Sequence, residues 1–326
     1  MLAQLLASPE PSLRFKALTA VLGRDPADPA LAPLRAEIAA SPRVQALLSG
    51  RDADGTIPGS TYRKWTGAHW VLVDLADLGY PLGDAALWPL VDQNLTSWTG
   101  QQAPRVDTSQ ERPRRCASQE GNAILSAVLL GFGDDPRLEE LVQRLLDCQW
   151  PDGGWNCDRR PQAHHASYHE TLIPTRALAL WARRTGDPRA ATAAAAAAEV
   201  LLKRRLYRRH SDGSVIDPTF VTLFYPYTWH YSVLYALRVM AEMGRIADPR
   251  CADALDLLEA KRLPDGGWPA ERRWYRCSRS NTRATSGLSH VDWGGVSQRR
   301  GNPWITAEVL GVLAAAGRYE PTAASA

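Results

Sequence analysis

The stretch CQWPDGGWNCD, residues 148–158, sets two tryptophans, two glycines, a Pro-Asp turn and two cysteines side by side. A shorter echo, KRLPDGGW, runs from 261 to 268. Both copies follow the pattern Leu-x-x-x-(Gln or Arg)-x-Pro-Asp-Gly-Gly-Trp, so a recurring architectural device is the first reading. The cysteines that flank only the first copy raise a second question, whether part of an active site lies beside the device.

Outward from these copies the chain repeats. Turns of the type GFGDDPR (131–137), TGDPR (185–189) and MGRIADPR (243–250) recur, with looser forms LGRDPAD (22–28) and LGYPLGD (78–84). Gly79, Gly133, Gly186 and Gly244 lie roughly 55 residues apart, the signature of an internal repeat. Each turn follows an apolar helical pattern: LRFKALTAVLG, HWVLVDLADLG, NAILSAVLLGFG, LIPTRALALWARRTG, HYSVLYALRVMAEMG and, last, WITAEVLGVLAAAG. Glycine supplies the left-handed cap, and the Asp-Pro that follows most of them cannot continue the helix. After the turns come amphipathic segments such as PRLEELVQRLLDCQ (136–149), acidic early, with arginine or glutamine late. Six apolar helices alternating with amphipathic ones predict an all-α (α/α)6 barrel, a toroid of six hairpins whose inner helices ring a cavity. One domain is expected over 1–320, with a disordered tail at 321–326.

Composition narrows the classes. With 45% hydrophobic and 22% charged residues the chain is globular material. No apolar run approaches a membrane span, and MLAQLLASPEPSL resembles neither a signal nor a transit peptide, so a cytoplasmic protein without a transmembrane segment is expected. Acidic residues nearly balance the arginines, and KRRLYRRH (203–210) is the one basic run, so no nucleic-acid partner is expected. Five irregularly spaced cysteines do not suggest a disulfide framework.

Gln149 with Asp152-Gly-Gly-Trp155 resembles the Gln-Trp repeat of squalene-hopene and oxidosqualene cyclases and the Gly-Gly-Phe/Trp repeats of protein prenyltransferase β-subunits. The stretches YRKWTGAHWVLVDLADLG (62–79), LYRRHSDGSVIDP (206–218) and YPYTWHYSVLYALRVM (225–240) resemble stand-alone bacterial proteins with prenyltransferase/squalene-oxidase repeats, one barrel long. The resemblance implies a terpenoid cyclase-like α/α toroid in which the repeat motif ties the end of an outer helix to the turn before the next inner helix. It also marks departures. No Asp-x-Asp-Asp acid motif occurs, 326 residues cannot hold the second barrel of triterpene cyclases, and no Asp-x-Cys precedes SYHETL (167–172), the segment similar to the zinc-binding Tyr-His of the prenyltransferases.

Inner-helix N-termini of such a barrel open on one end, where residues just before each helix meet a ligand. The acid–base candidates there are His69, His169, Glu170, Asp158 and His230. His169 and Glu170 are neighbours on a helix start, so one of them points inward. A tetrahedral metal set would draw on Cys116, Cys157 and His169, with zinc as the one cofactor to consider. Lys64, Trp65, Trp70, Asn122, Trp229, Tyr231 and Trp304 are expected to line the cavity, receiving a hydrophobic small-molecule substrate by burial and cation–π contact. For each cysteine and histidine the alternative is an ordinary buried, hydrogen-bonded core role. The function expected is an enzyme acting on a hydrophobic or isoprenoid-like molecule by acid–base chemistry, of cyclase, isomerase or lyase type. A non-catalytic toroid that binds a small molecule or peptide, and a carbohydrate lyase or hydrolase, remain the alternatives.

Overall fold

The structure is a computed structural model and describes residues 1–100, 112–277 and 287–321. The tail expected at 321–326 falls, apart from residue 321, outside these. Thirteen α-helices occur among the described residues: α1 (Leu2–Leu6), α2 (Pro11–Lys16), α3 (Ala32–Ala40), α4 (Pro42–Leu48), α5 (Ala68–Leu78), α6 (Trp88–Trp98), α7 (Ala117–Leu129), α8 (Arg137–Asp147), α9 (Tyr168–Thr185), α10 (Pro188–Leu202), α11 (Val233–Glu242), α12 (Ala252–Ala260) and α13 (Pro303–Ala315). A π-helical turn, Ala17–Val21, extends α2. Three isolated β-bridges occur among the described residues, and no strand. None of these helices is long and apolar enough to cross a membrane.

The apolar helices form a closed ring. Helix α2 with its π turn packs on α5, α5 on α7, α7 on α9, α9 on α11, α11 on α13, and α13 returns to α2. Helices α3, α6, α8, α10 and α12 each back the inner helix that precedes them. The sixth outer position, behind α13, is taken by α1 from the other end of the chain. The fold is thus the all-α toroid of six hairpins, its last hairpin closed by the N-terminus.

The glycine turns close the inner helices largely as their pattern predicts. Gly79 (φ 84°) and Gly186 (φ 76°) are left-handed C-caps of α5 and α9. In the third repeat the left-handed residue is Gly131 (φ 87°) rather than Gly133, because α7 ends two residues earlier than the spacing suggested. Asp187 caps α10 by accepting from the N–H groups of Arg189 and Ala190.

The Pro-Asp-Gly-Gly-Trp copies are one device used twice. Trp155 and Trp268 are fully buried, and their indole Nε1 groups donate to the carbonyls of Leu145 (2.8 Å) and Leu258 (2.6 Å), near the ends of α8 and α12. Their backbone N–H groups donate to Thr171 Oγ1 and Thr306 Oγ1 on the next inner helix. Asp152 and Asp265 accept from the N–H groups of Ala166 and Gly301, in the approach to that same helix. Each copy therefore satisfies orphan carbonyls at an outer-helix end and fixes where the following inner helix begins. This is a structural staple.

Connections at the two ends of the ring differ in length. Those leading from inner to outer helix are short, as between α9 and α10, where only Gly186 and Asp187 intervene. Those leading back, such as 203–232 and 261–302, are long and carry much of the aromatic content. The described parts of the long ones fold over the N-terminal ends of the inner helices; the short ones cannot cover the C-terminal ends.

Candidate functional site

A cavity of about 940 Å³ opens where the short turns leave the ring uncovered. Its walls come from the C-terminal portions of α5 (Ala76, Asp77), α7 (Val128, Leu129), α9 (Arg176 to Arg184), α11 (Arg238 to Glu242) and α13 (Glu308 to Ala315), and from Phe15 to Ala20. Much of the wall is apolar, with Phe15, Leu82, Val128, Leu180, Met243 and Val312 among its residues. Ionic groups are set among them.

Lys16 reaches Asp77 (2.8 Å) and Glu308 (2.7 Å). Arg238 binds Asp77 (2.6 Å), Glu308 (3.1 Å) and Glu242 (3.0 Å). Arg176 grips Glu242 with two bonds of 2.6 and 2.9 Å, and Tyr225 donates its hydroxyl to Asp77 at 2.6 Å. Three cations and three carboxylates from α2, α5, α9, α11 and α13 thus form one network. Burial alone would raise the Asp77 carboxyl, but Lys16 and Arg238 outweigh it and hold it well below the usual range. Glu242, likewise opposed by burial, is brought down to about 2 by Arg176 and Arg238. These two carboxyls are ionised, and the cations that keep them so share the same chamber.

The residues expected at the opposite, N-terminal end are placed differently from that expectation. None of His69, His169, Glu170, Asp158, His230, Lys64, Trp65, Trp70, Asn122, Trp229, Tyr231 and Trp304 lines the large cavity. Trp65 and Trp70 border a void of about 10 Å³, room for about one water. The reason is the aromatic load of the long connections, which fills the mouth instead of lining it. Trp65 and Trp70 meet edge to face at 4.7 Å, Trp229 stacks on His230 at 4.0 Å, His230 on Trp274 at 3.6 Å, and Trp304 on Tyr225 at 5.1 Å. Lys64 lies over the rings of Trp65 and Trp229. Tyr231 donates its hydroxyl to the Leu206 carbonyl and its N–H to His169 Nδ1. Asn122 is buried with its Nδ2 unpaired.

The three histidines do not converge on a common atom. His69 is fully buried; its Nδ1 accepts from Trp98 Nε1, its Nε2 has no partner, and burial depresses its pKa to about 3. His169 and His230 are neighbours, with ring centroids 6.4 Å apart, both lowered by burial, His230 to about 2. His230 is buried within the aromatic wall, and His169 is partly buried at its edge. Asp158 is bound by Arg160, whose hydrogen bonds hold its carboxyl down to about 2.

Glu170 and His169 do point apart. Glu170 accepts from the Ser118 N–H (2.9 Å) and faces Cys157 Sγ at 3.5 Å, and Cys116 completes a cluster whose ligand atoms lie within 4.8 Å of one another. Burial raises the Glu170 carboxyl. His169, grouped with the two cysteines on sequence grounds, faces Tyr231 instead, so Glu170 is the third member. A second carboxyl is pushed well above its usual range by burial and by the Asp77 charge: Asp74, which borders the small aromatic void.

The network residues were missed, but they had a signal. Asp77, Arg176, Arg238 and Glu308 are charged residues set inside otherwise apolar inner-helix patterns, where a packed core tolerates charge only in pairs.

No family model matches the sequence, and no curated protein matches it at a significant level. Among solved structures, a protein from Actinoplanes is 17% identical, with 84% of this chain and 97% of that chain covered at a TM-score of 0.30. The type II terpene cyclase MstE from Scytonema, in complex with geranylgeranyl dihydroxybenzoate, is 15% identical, with 84% and 95% covered at a TM-score of 0.27. At these TM-scores the likenesses carry no argument about activity.

Proposed function

We propose that the protein is an enzyme of isomerase or lyase type that takes an apolar, isoprenoid-like small molecule into the central cavity and moves a proton at its polar end. Glu308 is the proton acceptor, and Asp77, held ionised by Lys16 and Arg238, anchors the two cations. Lys16 and Arg238 stabilise the negative charge that develops on the substrate. The observation that carries this reading is the meeting of two carboxylates, from α5 and α13, on the same two cations in a chamber with largely apolar walls. A volume of about 940 Å³ lies within the roughly 300–1,000 Å³ of small-molecule sites.

The same observation weighs against the cyclase form. Opening an alkene or epoxide by protonation needs an un-ionised acid, and the carboxyls raised by burial, Asp74 and Glu170, are not among the cavity-lining residues. Sugar hydrolysis also needs one protonated carboxyl beside its partner, and Asp77 is held ionised.

The test is proton exchange in deuterium oxide with a panel of C15 and C20 prenyl alcohols, aldehydes and enones, read by mass spectrometry. Wild type is expected to incorporate deuterium into at least one compound. Glu308→Gln should slow that incorporation by about 10²-fold or more while still binding it, as loss of a positioned base does. Leu180→Trp, which narrows the cavity at the α9 wall, should weaken binding and slow exchange together. Binding without exchange or turnover across the panel would leave a carrier in place of an enzyme.

A further inference from the structure

We propose that Cys116, Cys157 and Glu170 form a binding site for a divalent transition-metal ion of the zinc type, separate from the central cavity. Three segments distant in sequence build it. Cys116 is the residue before α7, Cys157 follows the first tryptophan staple, and Glu170 lies in the first turn of α9. A backbone bond of 3.0 Å from the Arg115 N–H to the Asn156 carbonyl joins the residues directly before the two cysteines, which sets the thiols side by side. The staple fixes the start of α9 and with it Glu170.

The donor geometry fits a tetrahedral ion. Thiolate at about 2.3 Å and carboxylate oxygen at about 2.0 Å from one zinc put sulfur and oxygen about 3.5 Å apart. Cys157 Sγ and Glu170 Oε1 are 3.5 Å apart, and all three ligand atoms lie within 4.8 Å of each other. Glu170 is 6% exposed, and its second oxygen is held by the Ser118 N–H, the outer hydrogen bond that orients a metal-ligating carboxylate. An ion bound here displaces the two thiol protons and leaves one coordination position for water or a ligand. A disulfide between the cysteines would use two of the three groups and remove the Cys157 donor from Oε1.

The experiment titrates the fully reduced, metal-stripped protein with Zn²⁺ against a chromogenic chelator and, separately, with Co²⁺ followed by absorption. One equivalent of Zn²⁺ and a thiolate-to-cobalt charge-transfer band with tetrahedral ligand-field bands are expected for wild type. Cys157→Ser should abolish the band, and Glu170→Gln should weaken binding at least ten-fold while retaining it, with melting temperatures reported for both. Reduced wild type that takes up neither ion at micromolar concentration overturns the site, whatever the variants do. So does zinc binding unchanged in a folded Cys157→Ser, or a cobalt spectrum without sulfur coordination. Because the readout is metal binding, failure here leaves the cavity enzyme untouched, and failure of proton exchange leaves this site untouched.

Discussion

At the level of single residues, the tryptophan staples and the buried histidines answer to different forces. Trp155 and Trp268 each combine a fully buried indole with a hydrogen bond to a helix-end carbonyl. Removing either ring opens a cavity and orphans that carbonyl, so Trp155→Ala and Trp268→Ala should each lose about 3–5 kcal/mol in urea unfolding. Similar losses in both would reflect the shared construction; a loss in one alone would contradict it. His69 responds to pH. Its folded pKa of about 3 lies below the ordinary 6.5, so the unfolded chain binds a proton that the folded state refuses. Its contribution is present above pH 6.5 and is lost progressively as pH falls toward about 3. His69→Leu leaves Trp98 Nε1 with Asn94 Oδ1 at 2.9 Å, and removes the unpaired Nε2. The variant should therefore lose less stability than wild type between pH 6.5 and 4, the remaining slope coming from His169, His230 and the shifted carboxyls, as denaturation midpoints measured across that range would show.

At the level of elements, α7 and α9 cross in close contact. Gly121 sits in the middle of the contact, and a Cβ there would lie 2.9 Å from Ile173 Cγ2 and 3.0 Å from the backbone nitrogen of Pro174. Helix propensity favours alanine over glycine by about 1 kcal/mol in a helix interior. Here the backbone of α9 would have to move away, so the steric term decides the sign. Gly121→Ala should lower the melting temperature, and a rise would mean that the crossing is looser than these distances. Pro174 inside α9 belongs to the same contact: a residue without an N–H lies where the neighbouring helix approaches most closely. The connections between elements then decide which end of the ring is open, since two residues at Gly186–Asp187 cannot do what the segment 203–232 does at the other end.

At the level of the whole molecule, the buried network joins five of the six inner helices. Arg238→Met would leave Asp77, Glu242 and Glu308 sharing the remaining cations in a partly desolvated place, at a cost of about 3–5 kcal/mol. Arg184→Ala, which removes an exposed pair with Asp134, should cost no more than about 1 kcal/mol by the same denaturant measurement. Equal effects would mean that the network is not desolvated. The ring of alternating apolar and amphipathic helices was legible in the sequence because periodicity, glycine caps and Asp-Pro stops are local, and each repeat states them again. Far-UV circular dichroism should accordingly show helix without strand. Legible too were the two staples, whose Leu, Asp and Trp sit at the same spacing in both copies, and the nearness of Cys116 and Cys157 across adjacent repeats. Three things were decided only by the tertiary structure. Helix α1 became the sixth outer partner because ring closure brings the two ends of the chain together, a contact that no local pattern encodes. Glu170 rather than His169 joined the cysteines because adjacent residues on a helix start point to different sides. The cavity lies at the C-terminal ends of the inner helices, since aromatic side chains on long connections gain more by filling the N-terminal mouth than by lining it, and the short turns opposite leave Asp77, Arg238 and Glu308 facing an open chamber.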